Sequence, residues 1–162
     1  MPDAGKYARY ELERRFLVER LPAGVDEHDV GVILDRYLTG TRLRLRRVEH
    51  PDGNVEHKLG QKEAPSPPDY AVTTITTIYL SRDEYDLFRP LPAHELRKRR
   101  YRLGEYSIDV FDSDLTGLIL AEITFETEEE MRAYGTPEFA IRDVSEDVRY
   151  TGGALAAEGV PK

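Results

Sequence analysis

The chain has 162 residues, of which 40% are hydrophobic and none is cysteine, so disulfides and thiolate metal sites are excluded. No apolar run approaches the roughly 20 residues that a membrane-spanning helix needs, and the N-terminus lacks the apolar core of a signal peptide. The net charge of −8 argues against nonspecific attraction to nucleic acid or to an anionic membrane. We predict a single domain over residues 1–162, located in the cytoplasm.

The first predicted strand covers residues 10–18 and carries its charges mainly on one face. Strand alternation puts Glu11, Glu13 and Arg15 on the same side, in steps of about 7 Å. Two carboxylates and a guanidinium in that spacing are typical of the wall of an ion-binding site. A strand face in contact with water is the simpler alternative, and the complementary charge on later strands favours the ion-binding interpretation.

A basic hairpin follows a second predicted strand over residues 30–38. Residues 41–48 alternate arginine with apolar residues, and a turn at 51–54 leads to a return strand over 55–62. Gly53 suits that turn because glycine accepts a positive φ. The cations that share a face are Arg42, Arg44 and Arg46 on one arm and Lys58 and Lys62 on the other.

The middle of the chain predicts a loop, a strand and a short helix. The proline-rich residues 64–68 cannot join a sheet ladder, whereas the threonine- and isoleucine-rich residues 70–80 form a strand. Ser81, with Glu84 three residues later, is a capping box that begins a helix, and this helix stops before Pro90.

Three more strands are predicted over residues 96–103, 106–111 and 118–125. The polar residues that share a face are Lys98, Arg100 and Arg102 on the first of these strands and Glu122 and Thr124 on the last. Beyond them, a second capping box at Thr127 begins a helix that Gly135 ends. A loop or short strand over 143–150 and a helix over 154–158 close the chain.

About eight strands joined mostly by short connections predict a closed barrel, because closure removes exposed sheet edges. The predicted fold class is α+β and mainly β, an eight-stranded antiparallel closed barrel with short helices packed outside. Charges that alternate alike on successive strands predict a polar, water-filled interior that binds a compact polyanion. Carboxylates in that interior would need a divalent cation between them and the anion, and oxygen ligands favour Mg²⁺ or Mn²⁺.

The sequence resembles the CYTH family, the triphosphate tunnel metalloenzymes, along nearly its whole length. The matching segments are 11–15, 36–38, 43–46, Lys62, 98–102, 108–111, 117–123 and 143–150. The resemblance implies an eight-stranded barrel, the triphosphate tunnel, in which a divalent metal acts on a small-molecule triphosphate. We expect no nucleic-acid or membrane partner, and a monomer or a homodimer.

The resemblance also implies roles for individual residues. The residues that correspond to metal ligands are Glu11, Glu13 and Glu122. The residues that correspond to the triphosphate clamp are Arg44, Arg46, Lys62, Lys98 and Arg100, with Arg42 and Lys58 on the same faces. Arg15 and Tyr37 stand where the family pairs a lysine with a tyrosine to orient the attacking water.

Three departures from the family pattern bear on function. Arg15 replaces the lysine, and a guanidinium that stays protonated can neutralise charge but cannot act as a base. Thr124 stands where a glutamate usually repeats. Residues 73–77 lack the glutamates typical of the middle strand, which weakens the case for a second metal ion.

The predicted activity is divalent-metal-dependent hydrolysis of inorganic tripolyphosphate or of an organic triphosphate, such as a nucleoside or thiamine triphosphate. Two alternatives stay open. The three departures favour a noncatalytic sensor of a phosphorylated ligand. A class IV-type adenylyl cyclase would share the scaffold, but it needs a base-recognition site that the sequence does not reveal.

Overall fold

The computed structural model describes residues 3–65 and 69–162. Within them the strands are β1 (Arg9–Val18), β2 (Gly31–Leu38), β3 (Leu43–Glu49), β4 (Val55–Glu63), β5 (Val72–Leu80), β6 (Ala93–Leu103), β7 (Tyr106–Phe111), β8 (Ile119–Phe125) and β9 (Arg142–Asp143). The helices are α1 (Arg82–Phe88), α2 (Glu128–Ala133) and α3 (Gly152–Glu158). Residues 66–68 of the predicted proline-rich loop lie outside the described part of the chain.

Strands β1 to β8 close into an antiparallel barrel, which confirms the predicted fold. The strands are hydrogen-bonded in the order β5-β4-β3-β2-β6-β7-β8-β1, and β5 also pairs with β1. The closing contact joins residues 9–12 of β1 to residues 72–75 of β5. The short strand β9 pairs with β1 at Phe16 and Leu17 and stays outside the closed ring.

The apolar face of the strands points outward and is covered by loops and helices. Phe16, Ile108 and Ala121 are fully buried on this face, where Tyr134 and Phe139 pack against the same cluster. Because side chains alternate along a strand, the polar residues between these positions face the barrel interior. The local alternation of the sequence therefore fixes which side of each strand lines the interior.

Two of the helices begin at the predicted capping residues. Ser81 and Glu84 form both hydrogen bonds of the capping box at α1. At α2 the Thr127 side chain accepts a hydrogen bond from the Glu130 backbone N–H. α2 ends at Ala133 with Tyr134 as its C-cap, so Gly135, predicted to end this helix, is the first residue beyond the cap. In the described part of the chain, no helix has the length and apolarity needed to cross a membrane.

One end of the interior turns apolar, and α3 packs there. On β6, Leu96 lies two residues from Lys98, and on β7, Phe111 lies two residues from Asp109, so each shares a strand face with a charged residue. At this end the interior face therefore carries apolar side chains. The side chains that pack together at this end, the apolar floor, are Leu96, Phe111, Leu115, Leu118, Leu120, Val144, Tyr150 and Leu155. The polar part of the interior thus lies against a packed base that includes the C-terminal segment.

Candidate active site

The barrel encloses a cavity of about 820 Å³, and every side chain that the sequence predicts for the site lines it. These residues are Glu11, Glu13, Arg15, Tyr37, Arg42, Arg44, Arg46, Lys58, Lys62, Lys98, Arg100 and Glu122. Arg102 shares the strand face of Arg100 but does not line the cavity, and it donates a hydrogen bond to Ser107 Oγ instead. The structure thus brings the predicted residues together and leaves their individual roles as predictions.

Strand register explains why the cations converge. Arg46 pairs with Lys58 across β3 and β4, and Arg44 pairs with Tyr37 across β2 and β3. Directly paired residues of antiparallel strands project to the same side of the sheet. Alternation along β3 then places Arg44 and Arg46 inside and Arg47 outside, where Arg47 pairs with Glu49.

Two buried aspartates that the site prediction omitted pair with three of the predicted clamp cations. Asp35 and Asp109 are both 0% exposed. Arg46 donates two hydrogen bonds to Asp35, at 2.7 and 2.8 Å, and Arg100 donates two to Asp109 at the same distances. The Lys98 ammonium also lies 2.7 Å from Asp109.

A sequence signal for the two aspartates exists. Asp35 interrupts the apolar run of residues 32–34, and Asp109 stands between Ile108 and Val110. A carboxylate is almost never fully buried unless a cation pairs with it. An acidic residue in an apolar strand therefore indicates a partner on a neighbouring strand, and arginine-rich strands supply that partner here.

The cations keep both buried aspartates ionised. Burial alone would raise the pKa of Asp35, but the charges of Arg46 and Arg44 hold it well below its usual range. Burial opposes Arg100 and Lys98 in the same way at Asp109, whose pKa is also lowered. The two aspartates therefore fix the positions of the clamp cations while remaining charged.

Arg44 differs from the other clamp cations. Its Nε lies 4.0 Å from Asp35 Oδ1, and this buried nitrogen has no hydrogen-bond partner among the described residues. The nearest carboxylates of the other clamp cations lie closer, and they are Glu63 for Arg42, Asp35 for Arg46, Glu56 for Lys58, Glu11 for Lys62 and Asp109 for Lys98 and Arg100. Arg44 is therefore the clamp cation with the most hydrogen-bonding capacity left for a ligand.

The three glutamates predicted as metal ligands lie on the neighbouring strands β1 and β8, and each is paired with a cation. Glu11 accepts a hydrogen bond from Lys62 at 2.6 Å. Arg15 donates to Glu13 at 2.9 Å and to Glu122 at 3.3 Å. Arg15 thus bridges the two strands at the level of the carboxylates.

The electrostatics of these glutamates differ sharply. Burial and the nearby Glu122 charge raise the pKa of Glu13 to about 7. At Glu122 the effect of burial is outweighed by Arg15, Lys98 and Arg100, so its pKa lies far below the usual range. Glu13 is therefore the glutamate of this cluster whose charged form is least favoured, chiefly because it is buried.

The residues present suit a hard divalent cation by their chemistry. The glutamates offer only oxygen ligands, which Mg²⁺ and Mn²⁺ prefer, and the raised pKa of Glu13 indicates that added positive charge would be favourable there. No preformed group of three acidic or histidine side chains that could hold a metal occurs in residues 3–65 and 69–162. A metal would therefore replace Lys62 and Arg15 as the partner of Glu11 and Glu13.

The remaining predicted positions are Tyr37 and the residues of β8 and β5 that depart from the family pattern. Burial and the Asp35 charge raise the pKa of Tyr37, so its hydroxyl stays protonated and can donate a hydrogen bond. Thr124 pairs with Glu13 across β1 and β8 but is exposed and does not line the cavity. From β5, the cavity is lined by Thr73, Ile75, Thr77 and Tyr79, none of which carries a carboxylate.

Inside the closed barrel, arginines and lysines line the same cavity as three glutamates, and this charge suits a compact, highly charged anion. The inorganic triphosphatase of Nitrosomonas europaea is 32% identical to this chain over 161 residues, which cover 90% of this chain and 96% of that protein. The chain therefore belongs to the family of this triphosphatase.

Solved structures agree with that assignment. The structure described as the inorganic triphosphatase NE1496 superposes with a TM-score of 0.60 and 25% identity, covering 93% of this chain and 97% of that chain. A second structure, described as the hypothetical protein NE1496, gives the same TM-score with 26% identity, 93% coverage of this chain and 99% of that chain. No family model matches the sequence.

Proposed function

We propose that this protein is a triphosphate tunnel metalloenzyme of the CYTH family, located in the cytoplasm, that hydrolyses a phosphoanhydride bond of inorganic tripolyphosphate with a divalent metal. One observation carries the proposal: a single cavity is lined both by basic and by acidic side chains. The basic ones include Arg44, Arg46 and Arg100, and the acidic ones are Glu11, Glu13 and Glu122. The related protein of N. europaea is named an inorganic triphosphatase, which favours the inorganic substrate.

The clamp cations account for substrate binding. A linear triphosphate carries several negative charges, and arginine forks bind phosphate oxygens in pairs. Asp35 and Asp109 hold Arg46 and Arg100 by two hydrogen bonds each, so these guanidinium groups keep fixed orientations before the substrate enters. Preorganised charges stabilise a transition state without the cost of reorienting solvent.

Glu11, Glu13 and Glu122 would hold the metal. When bound, a divalent cation neutralises phosphate charge and helps to activate water. Lys62 and Arg15 are the present partners of Glu11 and Glu13, so a bound metal would compete with these two cations for the carboxylates. Arg15 stays protonated, since the nearby Glu122 and Glu13 outweigh its burial and raise its pKa, so it orients groups in the cavity but does not accept a proton.

A noncatalytic sensor of a phosphorylated ligand is the second candidate. It is favoured by the way Arg15 is held, because each of its three nitrogens donates a hydrogen bond, to Glu122, to Glu13 and to the Tyr150 carbonyl. A guanidinium held by three partners contributes to structure whether or not the chain has turnover. Selectivity for an organic triphosphate, or a cyclase reaction, would require groups that recognise the organic part of the substrate, such as its base or sugar.

The function is tested by phosphate release from a panel of triphosphates, each with Mg²⁺ and with Mn²⁺. We expect release from tripolyphosphate that depends on the metal. Tight calorimetric binding of tripolyphosphate without release would favour the sensor, and cyclic AMP formed from ATP would favour the cyclase. Release from no triphosphate, with no binding, would contradict the proposal.

Glu11→Gln tests the metal site. The amide keeps the size of the side chain but removes its charge, so calorimetric affinity for Mn²⁺ should fall at least about tenfold, as typically happens when metal-site groups are removed. Glu19→Gln is the matched control, because Glu19 lies just beyond the end of β1 and its side chain is 74% exposed. Equal metal affinity of the two variants would exclude Glu11 as a ligand.

A further inference from the structure

The C-terminal segment meets the cavity wall at Tyr37. Gly152 is the first residue of α3, and a Cβ added at this position would overlap the Tyr37 hydroxyl oxygen and lie 2.9 Å from Tyr37 Cζ. Such close approaches do not occur in folded proteins, so any larger residue at 152 must displace the Tyr37 ring or α3. A Cβ at the next residue, Gly153, would make an ordinary contact of 3.6 Å with Tyr37.

The same segment also contacts Arg15. Arg15 Nη1 donates a hydrogen bond to the Tyr150 carbonyl oxygen at 3.0 Å, two residues before Gly152. Tyr150 and Leu155 are buried in the apolar floor, at 4% and 1% exposure, so the segment between them is anchored at both ends. Residues 150–152 therefore touch both side chains that stand at the positions predicted to orient the attacking water.

We propose that Gly152 is a positioning residue for Tyr37. Because glycine has no Cβ, the Tyr37 ring lies directly against the start of α3, and its hydroxyl is held at one place in the cavity wall. Tyr37 itself lies opposite Arg44 in the sheet, so its placement also bounds the space beside the least occupied clamp cation. The expected effect on kcat rests on the proposed function, whereas the contact between Gly152 and Tyr37 rests on geometry alone.

Gly152→Ala tests the kinetic consequence. The added methyl should displace the Tyr37 hydroxyl and lower kcat for tripolyphosphate by about 10- to 100-fold, the scale of loss for small misplacements of catalytic groups. KM should change much less than kcat, because the substitution leaves the clamp side chains themselves and their carboxylate partners unaltered. Gly153→Ala makes the same change one residue later in the same helix, and its kcat should stay near that of the wild type.

A double-mutant cycle separates positioning from a general loss of stability. In a Tyr37→Ala background the ring is gone, so adding Gly152→Ala should cause no further loss of kcat and no further fall in Tm. An equal loss in both backgrounds, or equal behaviour of Gly152→Ala and Gly153→Ala, would overturn the proposal. If the wild type hydrolyses no triphosphate, the proposed function fails, and the Tm cycle still decides whether Gly152 positions Tyr37.

Discussion

Arg44→Ala is expected to lower kcat/KM for tripolyphosphate by about 100- to 1000-fold, the range seen when a single preorganised donor to a transition-state charge is removed. The reason lies in how the cavity cations are occupied. Arg46 and Arg100 spend two hydrogen bonds each on a buried aspartate, whereas the nearest carboxylate to Arg44 stands at 4.0 Å. Most of the hydrogen-bonding capacity of Arg44 is therefore left for phosphate.

The matched control for Arg44 is on the same strand. Arg47 has the same side chain three residues later, but it faces outward and pairs with Glu49. Arg47→Ala should leave kcat/KM close to the wild-type value. Arg44→Lys should lose less activity than Arg44→Ala, because lysine keeps the positive charge but lacks the planar guanidinium that binds two phosphate oxygens. Similar kinetics for Arg44→Ala and Arg47→Ala would show that the cavity is not where the substrate binds.

Asp35→Asn is expected to destabilise the fold by about 3 kcal/mol, because it leaves the enclosed Arg46 guanidinium without its carboxylate. Asp35 is 0% exposed and the Arg46 side chain 13% exposed, so solvent compensates little of the lost interaction. Urea unfolding at neutral pH measures the change. Glu49→Gln is the control, since Glu49 pairs with Arg47 at the surface. This variant should lose less than about 1 kcal/mol of unfolding free energy.

The difference between wild type and Asp35→Asn should depend on pH in a defined direction. Although burial opposes it, Arg46 lowers the pKa of Asp35 in the folded state below its value in the unfolded chain. The stabilisation is then complete above the unfolded pKa of about 3.9 and is lost as the pH falls through the folded pKa. Unfolding free energies of the two proteins should therefore converge as the pH is lowered below about 4, and a gap that widens there would contradict the account.

The barrel and the residues lining it could be predicted because both follow from strand alternation. Once a strand such as β3 has leucine on one face and arginine on the other, the direction of the apolar face decides the direction of the charges. The proximity of Glu13 and Glu122 required more, because these residues, 109 positions apart, share Arg15 only through the pairing of β1 with β8. There the family resemblance supplied what periodicity could not.

The details that set the charge balance of the cavity could not be predicted. Asp35 and Asp109 act through partners on neighbouring strands, so their role depends on register, which a single sequence leaves open. The pairing of Arg15 with Glu13, Glu122 and the Tyr150 carbonyl depends on where the C-terminal segment packs. The same applies to the contact between Gly152 and Tyr37, since their proximity follows from the packing of α3 on the barrel.

A crystal structure of the protein with tripolyphosphate bound would show where the anion binds. We expect the anion inside the barrel, with phosphate oxygens within hydrogen-bond distance of Arg44, Lys62 and Arg100. Tripolyphosphate bound only to outward-facing cations such as Arg47 and Arg97, with the interior side chains still paired as they are now, would contradict this expectation.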